Sequence, residues 1–283
     1  MSLEQVIVTE VFSAIKNGTL DLPTLPDMAI KINKLIDDPN VSANQLVNLL
    51  SSDPAITAHL IKAANIAALS NGKPVDNVRS AISRLGYRML RNLVITITMH
   101  KLFKGSSPLI SRQLKSLWDH SREVAAISYV LAYQQKHLHQ EQAMLAGLVH
   151  DLGQLPLYIY ADQHHPSLSI DILNGLTRKF AAKVGTKLLE SWHFPADLVE
   201  VVEGHENLQR NNPSNLADYV DIVTMANLQM PGSAKFVAWD NVNAARRLGY
   251  NVMDCQNFLA TYSEQIAGAR TMLGLDTASS TKK

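Results

Sequence analysis

A single cysteine, Cys255, stands among 283 residues, which excludes an internal disulfide and a thiolate metal cluster and fits a reducing, cytoplasmic setting. Charge of either sign is not in excess: 26 Lys and Arg face 25 Asp and Glu, for a net charge of +1. No global field therefore draws the chain to nucleic acid or to an anionic membrane, and such binding would need a local basic patch. No apolar run reaches the 18 or more residues of a membrane span. The opening Met1-Ser2-Leu3-Glu4-Gln5 carries acid where a secretory signal would carry base. Gly-x-Ser-x-Gly, phosphate-loop and dinucleotide fingerprints are missing, which gives no support to serine nucleophiles or bound nucleotide cofactors of those kinds. What is present is a globular composition, 46% hydrophobic and 18% charged, with ten histidines. Histidine is the commonest neutral metal ligand and proton carrier, so these repay attention.

Most of the chain reads as helix separated by short, capped turns. Leu22-Pro-Thr-Leu-Pro26 is an extended lead-in; from Asp27, Met28, Ile32, Leu35 and Ile36 keep helical spacing up to Asp38-Pro39-Asn40. Ser42, Asp53 (followed by Pro54) and Asp76 are expected N-caps. Asn71-Gly72-Lys73-Pro74 breaks the chain between helices. Val94-Ile-Thr-Ile-Thr98 is β-branched enough to pass for a strand. The row Leu85, Met89, Leu93, Ile97 nevertheless runs through it at i+4, and few other segments could serve as sheet partners. The expected fold class is therefore all-α. After the loop Gly105–Pro108, helices are expected at about 110–136, 141–152, 168–192, 195–205 and 213–230, with two more beyond 240. The expected organisation is an N-terminal helix over 1–20, a helical half over 21–105, a second half over 106–225, and C-terminal helices over 226–283 that pack back, with a frayed tail at 277–283.

Chemistry concentrates at His150-Asp151, which ends the run Ala143-Met-Leu-Ala-Gly-Leu-Val149. A helix apolar on most sides buries its end, where an imidazole and a carboxylate need partners. Both could converge on one ion there, and that donor pair suits Mn, Fe, Zn or Ni better than Ca or Mg. His120, in Leu117-Trp-Asp-His-Ser121, and Asp221, in Tyr219-Val-Asp-Ile-Val223, are further polar residues inside apolar helical runs and could complete a site.

In that order, His120, His150-Asp151 and Asp221 resemble the H…HD…D signature of the HD phosphohydrolase superfamily. Leu22-Pro-Thr-Leu-Pro26, Asp53-Pro54, Lys62-Ala-Ala-Asn65, Ala81-Ile-Ser-Arg-Leu-Gly86, Leu117-Trp-Asp-His-Ser121 and Ala146-Gly-Leu-Val-His-Asp-Leu-Gly153 resemble the HDOD family, HD-related output domains of bacterial signalling proteins. The likeness spans about residues 20–225. It implies an N-terminal helical subdomain packed on an HD-type helical subdomain, a bacterial cytoplasmic setting, and a regulatory module working through signalling protein partners. The alternative it implies is a metal-dependent phosphohydrolase acting on a nucleotide or cyclic dinucleotide, with one divalent transition metal on His120, His150, Asp151 and Asp221. His205 and Glu206, at a helix end where solvation is the ordinary state, would then be candidates for proton transfer. The related HD-GYP phosphodiesterases carry extra histidines for a second metal; here Ala181 and Gly204 stand in two of those places, so a two-metal site is not expected. Only about 20 residues precede Leu22, so the signal is expected from a partner, a ligand or the protein's own concentration.

Three further features have ordinary readings. Arg84, Arg88 and Arg91 fall at i, i+4 and i+7, a basic stripe with Arg79 one turn before; it could meet a partner or phosphates, though a solvated face with internal carboxylates is the plainer account, and nucleic-acid binding is not expected. Asp162, His164 and His165 look like an exposed loop before Pro166, and His137 and His139 like exposed side chains. Trp118, Trp192 and Trp239 are expected core anchors and Cys255 an inert buried thiol.

Overall fold

The computed structural model describes residues 3–66, 74–230 and 236–275. Among the described residues every regular element is helical. The expected break at 71–73 and the frayed tail at 277–283 lie outside them.

Helix α1 (Leu3–Asn17) is followed by the extended 21–26 segment and then by α2 (Asp27–Asp37), α3 (Ala43–Ser51), α4 (Pro54–Ile66) and α5 (Val78–Met99). The last of these is the spine of the first half, with α2, α3 and α4 all packed on it. Local chemistry sets the ends. Ser42 and Gln45 form a reciprocal capping box at the start of α3, and Asp53 Oδ1 accepts from the N–H groups of Ala55 (2.9 Å) and Ile56 (3.2 Å) at the start of α4. At the start of α5 the cap is Asn77, accepting from Ser80 N–H at 2.9 Å, and not Asp76, which accepts from the Asn77 amide instead. Asn65 explains itself here: its amide donates to Val75 O (2.8 Å) and accepts from Val75 N–H (2.7 Å), fastening the end of α4 to the lead-in of α5.

Val94–Thr98 is helical, as the i+4 row requires. Helix α5 is nonetheless interrupted at Gly86, whose φ of 72° and ψ of 166° are reserved for glycine. This break corrects the basic stripe, because Arg84 lies before it and Arg88 and Arg91 after it, off a common straight helix.

The second half comprises α6 (Pro108–Ala132), α7 (Gln140–Val149), α8 (Gln154–His164), α9 (Ile170–Ser191), α10 (Ala196–Gly204) and α11 (Tyr219–Leu228). Helix α6 packs on α7, α8 and α11, while α9 packs on α8 and α10. The sequence reading missed α8, because Gly153 and Pro156 resemble breakers. Pro156 lies in the first turn, where its missing N–H costs nothing. Gly175 does not break α9. The start of α11 is fixed by a capping box between Asp218 and Asp221, six residues later than the expected 213. Beyond it, among the described residues, come three helices where two were expected: α12 (Asn243–Leu248), α13 (Val252–Thr261) and α14 (Ser263–Met272).

The halves meet along α5 and α7, α14 packs on both α4 and α6, and α1 packs on α9. One hydrophobic core runs through all of these, from Ile7 through Leu90, Ile127 and Leu173 to Phe258. Trp118, Trp192, Trp239 and Cys255 are buried in it. Asp162 belongs to no ligand cluster: it accepts from the backbone of Ser106 (2.5 Å) and Ser107 (3.1 Å), tying down the inter-half loop, while His165 pairs with Glu10 at 2.9 Å.

Candidate metal centre

Helix α7 ends in a tight turn, with Leu152 N–H on Val149 O and Gln154 N–H on Asp151 O, before α8 begins. That turn presents His150 and Asp151 and is pressed hard onto α9. A Cβ on Gly153 would lie 1.9 Å from Ala181 O and 2.6 Å from Gly185 N, so only glycine permits this approach. Helix α6, the main partner of α7, brings His120 alongside.

The result is a compact cluster. His120 Nε2 lies 3.1 Å from His150 Nε2, and the two nitrogens are 3.6 and 3.4 Å from Asp151 Oδ2. One ligand atom from each of these three residues falls within 4.8 Å of the others, the spacing a single ion requires. His205, at the end of α10, joins from the other side: its ring stands edge-on to His150 at 4.9 Å, and its Nε2 is 3.6 Å from Asp151 Oδ1. Far from being a solvated terminus, His205 is 5% exposed, whereas Glu206 is exposed beside it.

The hydrogen bonds around the rings fix their chemistry. His150 Nδ1 donates to Gly147 O (2.7 Å) and His205 Nδ1 to Val201 O (2.9 Å). Each Nε2 therefore carries a lone pair in the neutral ring, the tautomer a metal ligand needs. Burial pushes His150 down to about 3, with His205 and His120 reinforcing it and Asp151 opposing, and burial likewise lowers His120. Burial alone would raise the Asp151 carboxyl, but His150, His205 and His120 reverse this and hold it well below the usual carboxylate range. For His205 burial works downward, yet the Asp151 carboxylate and Val201 O outweigh it and raise the imidazole.

One atom tests whether a metal fits. His205 Nε2 is buried without any hydrogen-bond partner among the described residues, a state that costs about 1–3 kcal/mol. A ring nitrogen left without a partner beside the Asp151 carboxylate, its ring edge-on to His150, is what a divalent transition ion would satisfy, and the nitrogen-rich donor set suits Zn, Mn, Fe or Ni.

Asp221 is not brought into this group. Although 1% exposed, it is held by Arg247, whose Nε donates to Oδ2 at 2.7 Å and whose Nη2 also reaches Oδ1, and by Arg210 Nη1 at 3.4 Å. Arg210 also bonds Asp218 (2.5 Å) and Glu200 (2.8 Å), so the ionic group ties α10, α11 and α12 together. Of the basic stripe, Arg91 is ion-paired with Asp37 and Arg79 bonds Asn44; both have partners inside the chain.

A narrow cleft of about 70 Å³ opens on the cluster, lined by His150, Asp151, Ala181 and His205 together with Gln154, Thr177, Arg178 and Glu206. Ala181 thus lines the cleft without a ligand atom, whereas a side chain at Gly204 would meet Val220 and Arg210 instead. Gln154, Thr177 and Arg178 were not singled out in the sequence: polar residues on otherwise ordinary amphipathic helices carry no signal until the helices are packed.

The HDOD domain model matches residues 22–208. The chain belongs to the HDOD family. A crystal structure from Shewanella amazonensis, of a protein named as a candidate metal-dependent phosphohydrolase, is 27% identical, with a TM-score of 0.83 over 96% of this chain and all of the other. An HDOD domain protein of unknown function from Geobacter sulfurreducens shares the fold at 22% identity and a TM-score of 0.67, over 94% of this chain and 97% of that one. An uncharacterized protein of Treponema pallidum is 24% identical over 241 residues; the match covers 79% of this HDOD chain and 45% of the other, so the chain spans about half the length of that relative. Among the described residues no helix is long and apolar enough to cross a membrane.

Proposed function

We propose that this HDOD protein is a metal-dependent phosphoester hydrolase with one divalent transition ion, working as an output module in bacterial signalling. The observation that carries the reading is the buried, unpartnered Nε2 of His205, 3.6 Å from the Asp151 carboxylate whose other oxygen meets His120 and His150. The candidate phosphohydrolase from Shewanella amazonensis, similar over its whole length, supports it.

His120, His150 and Asp151 would hold the ion and His205 would complete the set in place of Asp221. Bound there, it would supply Lewis-acid polarisation of a phosphoryl oxygen and a water acidified toward a pKa of about 7. The protein's own contribution is positional. The Gly147 and Val201 carbonyls orient the two imidazoles before any ligand arrives, and Gly153 seats the turn so that Asp151 faces both. Glu206, exposed at the cleft, is placed to exchange a proton with solvent. With Ala181 where a further histidine would be needed, a second ion has no ligands on that wall.

Metal content of the purified, tag-free chain tests this, measured by mass spectrometry with Asp151→Ala as control. About one transition metal per chain, lost in the variant, together with metal-dependent release of p-nitrophenol from p-nitrophenyl phosphate esters, is the expected result. A chain that is metal-free and takes up no added Mn, Fe, Zn or Ni overturns the hydrolase. The cluster would then be packing, and the module would work through protein contacts alone.

A further inference from the structure

We infer that the hollow beside the cluster is a recognition site for a phosphoester of a small hydroxylated carrier, with Arg178 holding the phosphate; the inference rests on the phosphoester reading above. The narrow cleft on His150, Asp151 and His205 continues into a wider hollow of about 340 Å³ between α8 and α9, and Gln154, Thr177 and Arg178 line both. Its volume sits at the lower end of small-molecule sites.

Arg178 is the cation at this junction. Its Nε donates to Asn174 O within the same helix at 3.3 Å, and among the described residues no carboxylate lies within ion-pairing distance of its guanidinium. Arg122, Arg210 and Arg247, by contrast, are each committed to a carboxylate. An exposed guanidinium left with both Nη groups available, at the rim of a hydrolytic cluster, fits a phosphate geometrically and electrostatically.

The wider hollow decides what the phosphate is attached to. Its walls are Gln154, Tyr158, Asp171, Asn174, Thr177 and Arg178, almost all hydrogen-bonding groups. Among the described residues the Asp171 carboxylate and the Asn174 amide have no side-chain partner. Gln154 Oε1 is taken by the Tyr158 hydroxyl at 2.9 Å, which leaves the amide NH₂ to donate. Carboxylate and amides together match hydroxyl groups, which both donate and accept. A nucleobase would want an aromatic face to stack on; the one aromatic here, Tyr158, is 4% exposed. The hollow therefore favours a sugar-phosphate type of ligand over the nucleotide that the family resemblance suggests.

Calorimetric titration of the full chain with ribose 5-phosphate, ribose, inorganic phosphate and AMP tests this, on the wild type, Arg178→Met and Asn174→Leu. Both residues are on the surface, and circular dichroism would verify that the variants fold. Ribose 5-phosphate should bind more tightly than ribose or phosphate alone. Arg178→Met should weaken it by about tenfold or more, the loss of one charge-assisted contact, and Asn174→Leu should bring it down toward inorganic phosphate. No binding of ribose 5-phosphate, binding indifferent to Arg178→Met, or AMP binding as tightly would overturn the inference. Metal content read on the same samples separates the two claims. A metal-loaded chain without Arg178-dependent binding sinks the recognition site alone, whereas a metal-free chain that keeps such binding retains the site and sinks the hydrolase.

Discussion

Asp221 shows how a single carboxylate is assigned by its neighbours. In sequence it is an acidic residue inside an apolar helix, a good ligand candidate on the same grounds as Asp151. In the fold, Arg247 on α12 engages both of its oxygens, and Arg210 adds a longer contact. A partner 26 residues away, beyond the 22–208 match to the family model, cannot be read from local spacing. The roles of the two carboxylates separate experimentally. Arg247→Met leaves a buried carboxylate with the 3.4 Å contact to Arg210 and the 3.3 Å bond from Asp218 N–H, and should cost about 3 kcal/mol in denaturant unfolding, while metal content stays unchanged. Loss of metal in that variant, or a cost below about 1 kcal/mol, would return Asp221 to the ligand set. His205 is the converse case. A histidine at a helix end reads as solvated, and only the packing of α10 against α7 and α11 buries it.

At the scale of elements, what was legible is what local chemistry decides. Ser42 and Asp53 cap the helices they precede, because an N-cap needs only its own next three residues. Asp76 lost that place to its neighbour Asn77, a shift within the ordinary uncertainty of a helix start. Helix α8 was hidden by Gly153 and Pro156, one kept for close packing on α9 and the other harmless in a first turn. Gly86 ends the family-like motif Ala81–Gly86, but that it breaks α5 is a matter of dihedral angles. A Cβ there meets nothing within 4 Å, so glycine is required by conformation and not by space. Gly86→Ala should therefore cost about 1–3 kcal/mol, measured by thermal or denaturant unfolding. Gly268 supplies the opposite control: it sits inside α14 with helical backbone and open space around its Cα. Gly268→Ala should raise stability by roughly 0.5–1 kcal/mol. Equal effects at the two positions would mean that α5 runs straight through Gly86.

Across the whole molecule, the C-terminal helices act as a clasp on the helix that carries His120. Arg270 on α14 is ion-paired with Glu123 on α6, and Arg122 Nη1 donates to Gly274 O at 3.0 Å. His59 on α4 closes the other side, its Nε2 donating to Met272 O at 2.9 Å. Thus the end of α14 is gripped at once by α4 of the first half and α6 of the second. Burial depresses His59 below the ordinary histidine value of 6.5; the Met272 carbonyl partly offsets this, and Lys62 and Arg122 add to the depression. The folded chain consequently keeps this ring neutral where the unfolded chain has begun to protonate it. The sign follows: His59 contributes its full stability above pH 6.5, and the contribution is lost as pH falls below that value. His59→Gln keeps an N–H for Met272 O and removes the titration. Its unfolding free energy should match the wild type at about pH 7 and fall less steeply toward about pH 5, the difference in slope not exceeding about 1.4 kcal/mol per pH unit for one proton. Parallel curves would mean that protonation of His59 does not strain the clasp. A flatter curve for the variant would locate acid sensitivity at the joint where both halves and the C-terminal helices meet, a few residues along α6 from the candidate ligand His120.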